Sequence, residues 1–116
     1  MAPYNLEDRT LLFSKNIIVL CRRLSYGRIN TNLVDQLVRS ATSVGANYRE
    51  ANETDTKKDF RNRIRISKKE AKETIYWLKL LLDVNPGLKD DIISLEIEAT
   101  ELMKILGSMY EKTNKV

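Results

Sequence analysis

Lys57, Arg61, Arg65, Lys68 and Lys72 follow one another at spacings of four, four, three and four residues. On a helix those intervals return to one flank, so the five cations form a stripe. Phosphate oxygens are the chemistry such a stripe suits, and attraction of that kind weakens steeply with salt. The surrounding segment adds Lys58, Arg63 and Lys69 against only Asp59 and Glu70. A solvated face that keeps the protein soluble is the competing explanation of the same pattern. The total charge of +4 is modest, and no base-reading motif accompanies the stripe.

A second constellation is Glu50, Glu70 and Glu73 with Arg39 and Asn47. Facing carboxylates in a helical bundle suggest a di-iron centre, but such centres pair Glu with His three residues on. This chain has no histidine. A structural polar network in which Arg39 pairs with Glu73 or Glu70 is therefore expected in place of a metal site. The lack of histidine also removes Ser-His-Asp and Cys-His catalysis, and a single cysteine removes the usual zinc sites. Without a nucleophile and partnering base, neither an enzyme nor a cofactor is expected. Cys21 sits among Ile17, Leu20 and Leu24 at helical spacing, which predicts a buried free thiol.

These side chains need helices to position them. The 116 residues suit one domain, and four glycines with two prolines are too few for the turns of an all-β fold. Four segments carry apolar or small residues at alternating intervals of three and four, the mark of a bundle seam. The first, roughly residues 5–26, runs through Leu6, Thr10, Phe13, Ile17, Leu20 and Leu24, with Asn5 as its cap. The second, roughly 31–52, starts near Thr31 or Asn32 and carries Val34, Leu37, Ala41, Val44, Tyr48 and Ala51. Ser40, Ser43, Gly45 and Ala46 make it slim, so a neighbour can approach closely and Gly45→Leu is expected to disrupt packing. The third, roughly 56–84 and capped by Asp55, has Phe60, Ile64, Ser67, Ala71, Thr74, Leu78 and Leu81 on its seam. The fourth, roughly 88–112, follows Asn85-Pro86-Gly87 with Leu88, Ile92, Leu95, Ala99, Leu102, Leu106 and Met109, and Lys112 and Lys115 near its end. Short connections between long helices predict an all-α, antiparallel up-down-up-down four-helix bundle.

Ile75 to Leu82 is apolar on nearly every side, more than one core can cover. Ile75, Trp77, Leu80 and Leu82 are the expected oligomer interface, with Leu11, Leu12, Ile18 and Val19 a further apolar surplus on the first helix. No apolar run approaches the ~20 residues that span a bilayer, and the N-terminal stretch lacks a charged leader followed by an apolar core. A cytoplasmic protein that does not enter the membrane is the expectation.

The segments Gln36-Leu37, Arg39 to Val44, Ala46-Asn47, Glu50, Asp59-Phe60, Glu73-Thr74 and Tyr76-Trp77-Leu78 occur in an order and spacing that resemble the 23S rRNA intervening-sequence, or S23, family. Some members are encoded in insertions within bacterial 23S ribosomal RNA genes. The accessory variability protein of diversity-generating retroelements, which works with a reverse transcriptase and nucleic acid, is a related bundle. The resemblance implies a bacterial homopentamer with a basic surface, and it places Arg39, Asn47, Glu50 and Glu73 at motif positions as fold or assembly determinants. Ala51 stands where the family often has glycine. Two functions follow as expectations: a nonenzymatic oligomer binding RNA or DNA through the stripe, or a homo-oligomeric scaffold for a protein partner.

Overall fold

In the computed structural model, residues 5–114 are described; Lys115 and the start of the N-terminal stretch discussed above lie outside them. The elements are α1 (Leu6–Arg23), α2 (Arg28–Asn52), α3 (Lys57–Val84), a 3-10 turn (Pro86–Leu88) and α4 (Lys89–Thr113). Helix α3 is central, packing extensively on both α2 and α4, while α1 packs on α2 and more sparsely on α4. Pairings fix the directions. Arg39 meets Glu73 whereas Asn47 meets Arg63, and Lys79 meets Glu96 whereas Arg61 meets Tyr110, so both neighbours run antiparallel to α3. Arg9 with Glu98 and Arg23 with Asp91 give the same sense for α1 against α4. The four-helix bundle expected from the seams is thus the fold.

Those seams are the core. Phe13, Ile17, Leu37, Ile64, Leu78, Leu81, Ile92, Leu102 and Leu106 are fully buried and form one cluster across all four helices. Each such side chain stabilises the fold by about 1.5–3 kcal/mol relative to exposure. Between α1 and α2 the approach is closest at Gly45, where a Cβ would lie 3.0 Å from Thr10 Oγ1 and 3.1 Å from Thr10 Cβ. Thr10 is itself buried, its hydroxyl donating to the Leu6 carbonyl at 2.8 Å. A leucine at Gly45 has no space there.

The boundaries differ from expectation at the end of α1, the start of α2 and the cap of α3, each for a local reason. Helix α2 begins at Arg28, not at Thr31 or Asn32: α1 already stops at Arg23, and Gly27, in extended backbone, accepts from the Thr31 amide at 2.8 Å without any side-chain cap. Helix α3 is capped by Thr56 rather than Asp55, the Thr56 hydroxyl oxygen accepting from the Asp59 amide at 3.0 Å. The Asn5 cap is as expected, its Oδ1 accepting from the Asp8 amide at 2.8 Å. At the opposite end, Asn30 and Asn85 form a reciprocal amide pair with bonds of 3.1 and 2.9 Å. Their remaining donors reach the Ser25 and Leu81 carbonyls, tying the two connections at that end together.

Of the expected interface residues, Ile75, Trp77, Leu80 and Leu82 are all half-buried, and Ile75, Trp77 and Leu82 pack on the chain's own core. Trp77 Nε1 is buried with no hydrogen-bond partner among the described residues. The larger apolar exposure lies on α1, where Leu11, Leu12, Ile18 and Val19 are 41–56% exposed on the side away from the core. Cys21 is free and half-buried, and burial pushes its thiol up to about 11. Among the described residues no helix is long and apolar enough to cross a membrane.

Candidate nucleic-acid interface

The two flanks of α3 carry its charged side chains in different ways. On the α2 flank, Ser67 Oγ donates to the Val44 carbonyl at 2.6 Å and the Thr74 and Ser40 hydroxyls hydrogen-bond at 2.9 Å, all four residues being fully buried. Small side chains let the two backbones close to this distance, and the hydroxyls satisfy one another inside the contact. At its solvent edge Arg39 Nη2 lies 2.6 Å from Glu73 Oε1, and Arg39 Nη1 lies 3.7 Å from Glu70 Oε1. Arg63 donates to Asn47 Oδ1 at 3.0 Å, and Asn47 donates to the Ser43 carbonyl at 2.9 Å.

The network read from the sequence therefore divides. Arg39, Glu70 and Glu73 come together, Asn47 joins Arg63 instead, and Glu50 stands exposed with no ion pair among the described residues. Glu70 is the most enclosed of the three acids. Its side chain is 13% exposed and its Oε1 makes no hydrogen bond among the described residues. Desolvation, reinforced by the neighbouring Glu73 charge, pushes its pKa above the ordinary carboxylate value, with Arg39 and Lys69 opposing.

Toward α4 the flank is basic. Lys57, Arg65 and Lys72 are exposed, while Arg61 and Lys68 are half-buried, and none of the five forms an ion pair among the described residues. Two acids of α4 are engaged elsewhere, Glu96 holding Lys79 at 2.9 Å and Glu98 holding Arg9 in a two-bond fork of 2.8 Å each, while Asp59 on α3 lies beside Arg61 without an ion pair among the described residues. Two stripe residues instead lean on α4 through apolar or aromatic surface. The Arg61 guanidinium carbon sits 4.0 Å from the Tyr110 ring centroid. The Lys68 stem crosses α4 at Gly107, its Cε 3.5 Å from where a Cβ would be. Such contacts fix the side-chain stems without neutralising the charged ends.

Beside the stripe, a shallow groove of ≈ 280 Å³ is lined by Lys58, Asp59, Arg61, Asn62, Arg65 and Tyr110. Tyr110 was missing from the sequence-derived site. It lies 49 residues from Arg61, and the available signal was register: both lie comparable distances from the Pro86–Leu88 turn, so antiparallel pairing brings them level. Among the described residues, no group of three or more His, Cys, Asp or Glu is placed to hold a metal ion.

A crystal structure of a protein of unknown function from the S23 ribosomal protein family of Bacteroides thetaiotaomicron VPI-5482 superposes with a TM-score of 0.81. It is 33% identical, and the match covers 91% of this chain and 98% of that one. No curated protein matches significantly. The family model described as 23S rRNA-intervening sequence protein matches residues 7–108, and with the helical arrangement shared with the Bacteroides protein it establishes that this chain belongs to the 23S rRNA intervening-sequence, or S23, family.

Proposed function

We propose that this protein is a nonenzymatic, self-associating bundle of the bacterial cytoplasm that binds RNA or DNA phosphates through Lys57, Arg61, Arg65, Lys68 and Lys72. The observation that carries the proposal is the clustering: five cations without an ion pair among the described residues fall on one flank of α3, and two of them, Arg61 and Lys68, rest their stems on Tyr110 and Gly107. Cations without an ion pair among the described residues, two of them on stems held by packing, suit phosphate. The family's name adds weight, since it ties its members to ribosomal RNA genes. Glu70 and Glu73 beside Arg39, with Glu50 apart from them, support a structural rather than a catalytic role for the acids.

Five phosphate contacts imply a slope of log affinity on log salt of roughly −4, or about two orders of magnitude between 50 and 200 mM. Binding of structured RNA is measured across that range for the wild type and for a variant with Arg61, Arg65, Lys68 and Lys72 changed to Glu. Loss of binding in the variant is expected. Affinity that ignores salt, or survives the four changes, sinks the proposal.

The scaffold reading is favoured by a separate observation, the outward apolar face of α1 at Leu11, Leu12, Ile18 and Val19. Together with Ile75, Trp77, Leu80 and Leu82, it supports a homo-oligomer, of five copies by resemblance, that gathers a protein partner without nucleic acid. Light scattering on a sizing column tests the assembly. Partners that persist in a pull-down after nuclease treatment favour the scaffold.

A further inference from the structure

Phosphate attraction alone does not distinguish a single strand from a duplex, but the groove beside the stripe contains a feature that bears on the difference. Arg61 is held by an aromatic face, not by an acid: its guanidinium carbon is 4.0 Å from the Tyr110 centroid. It has no ion pair among the described residues, and its Nε has no hydrogen-bond partner there. Tyr110 is half-buried against the core, so the ring is a fixed support rather than a free side chain. A guanidinium over a ring face has an opposite face to offer a second flat group, and Arg61 is only half-buried.

The surroundings suit one nucleotide. The groove's ≈ 280 Å³ lies near the lower end of small-ligand pockets, about 300 Å³. Lys58 and Arg65 line it beside Arg61 and can meet backbone phosphates, while Asp59 and Asn62 offer acceptors toward a base edge. Arg65 donates to Asn62 Oδ1 at 2.9 Å, which orients the carboxamide. Bases in a duplex are stacked on one another and cannot enter, whereas unpaired bases stack readily on Arg planes and aromatic rings.

We propose that Arg61, seated on Tyr110, is a stacking platform for one unpaired nucleobase, so that the basic stripe takes single-stranded RNA or DNA in preference to duplex. The inference rests on the phosphate-binding reading above and adds the strand form to it.

The test uses the full chain with a short single-stranded RNA carrying one 2-aminopurine, and the same strand annealed to its complement. Wild type should bind the single strand more tightly and quench the fluorophore. Arg61→Lys keeps the charge and loses the plane. Its affinity for the single strand should fall roughly tenfold, more than its affinity for duplex, and quenching should vanish. Tyr110→Leu should act in the same direction, with thermal melting used to establish that both variants are folded. Duplex bound as tightly as single strand by the wild type, or full stacking quench in Arg61→Lys, overturns the platform while leaving salt-dependent binding intact. Absence of salt-dependent binding to either form overturns both the platform and the reading beneath it.

Discussion

Helix α3 has one flank built to hold and another left open. Against α2 it presents Ser67 and Thr74, whose hydroxyls bond the Val44 carbonyl and Ser40 in a fully buried contact, and its edge acids Glu70 and Glu73 close on Arg39. Against α4 it presents Lys68 and Arg61, which rest on Gly107 and Tyr110 and form no ion pair among the described residues. Buried hydroxyls and paired charges stabilise a contact only while every partner is in place. Unpaired cations add little to folding and keep their electrostatic attraction for another molecule. Substitutions on the first flank should therefore alter stability and those on the second binding.

The largest effect is expected from Ser67→Leu. Ser67 is fully buried with its oxygen 2.6 Å from the Val44 carbonyl, so extra methylene groups would push α2 and α3 apart. Overpacking of this kind costs about 1–3 kcal/mol, and the lost hydrogen bond adds about 1 kcal/mol. Urea unfolding should show a clearly lower midpoint, while RNA affinity of the folded variant stays near that of the wild type. An unchanged midpoint would mean that the α2 flank is not the rigid one.

Glu70 provides a smaller, pH-dependent effect on the same flank. Its carboxyl is pushed above the ordinary value of 4.5, chiefly by desolvation. The folded chain therefore binds the proton more tightly than the unfolded chain, and stability falls as pH rises from the unfolded value through the folded one. Glu70→Gln removes that titration. The variant should gain stability relative to wild type as pH rises above 4.5, with the difference levelling off above the folded pKa. If wild type gains on the variant over that interval, Arg39 outweighs desolvation and the pair is a net stabilising bridge.

What the sequence revealed follows from the range of each interaction. Seam residues such as Leu37, Ile64 and Leu102 are set by helical period, a local property, and they are the core. The Asn5 cap is local too. Gly27 escaped notice as a helix start because it caps through its backbone alone, and Thr56 because Asp55 offers a similar oxygen one residue earlier. The Asn30–Asn85 clasp and the Arg61–Tyr110 stack join residues 55 and 49 positions apart, so neither is visible until the helices have been laid side by side. Glu50 shares helix α2 with Arg39 and its acidity with Glu70 and Glu73, and only its outward position separates it from that cluster. The stripe itself was legible in full, but its lack of acid partners depends on where α4 brings its own charges.

The smallest effect sharpens the comparison most, because one substitution is made in two places. Alanine has a higher helix propensity than glycine by about 1 kcal/mol, so Gly→Ala in a helix should stabilise wherever the new methyl fits. At Gly107 the Cβ would meet Lys68 Cε at 3.5 Å, an ordinary contact with a flexible stem that can shift outward. Gly107→Ala should therefore raise the unfolding free energy by up to about 1 kcal/mol, a few degrees in melting temperature, and leave RNA affinity within about twofold. At Gly45 the same methyl would lie 3.0 Å from Thr10 Oγ1 and 3.1 Å from Thr10 Cβ, a buried residue bonded to its own helix. There the propensity gain is outweighed, and Gly45→Ala should lower the melting temperature. Shifts of the same sign at both sites would mean that the α1–α2 crossing relaxes as easily as the open α3–α4 groove, and the division between rigid and adaptable contacts would lose its physical basis.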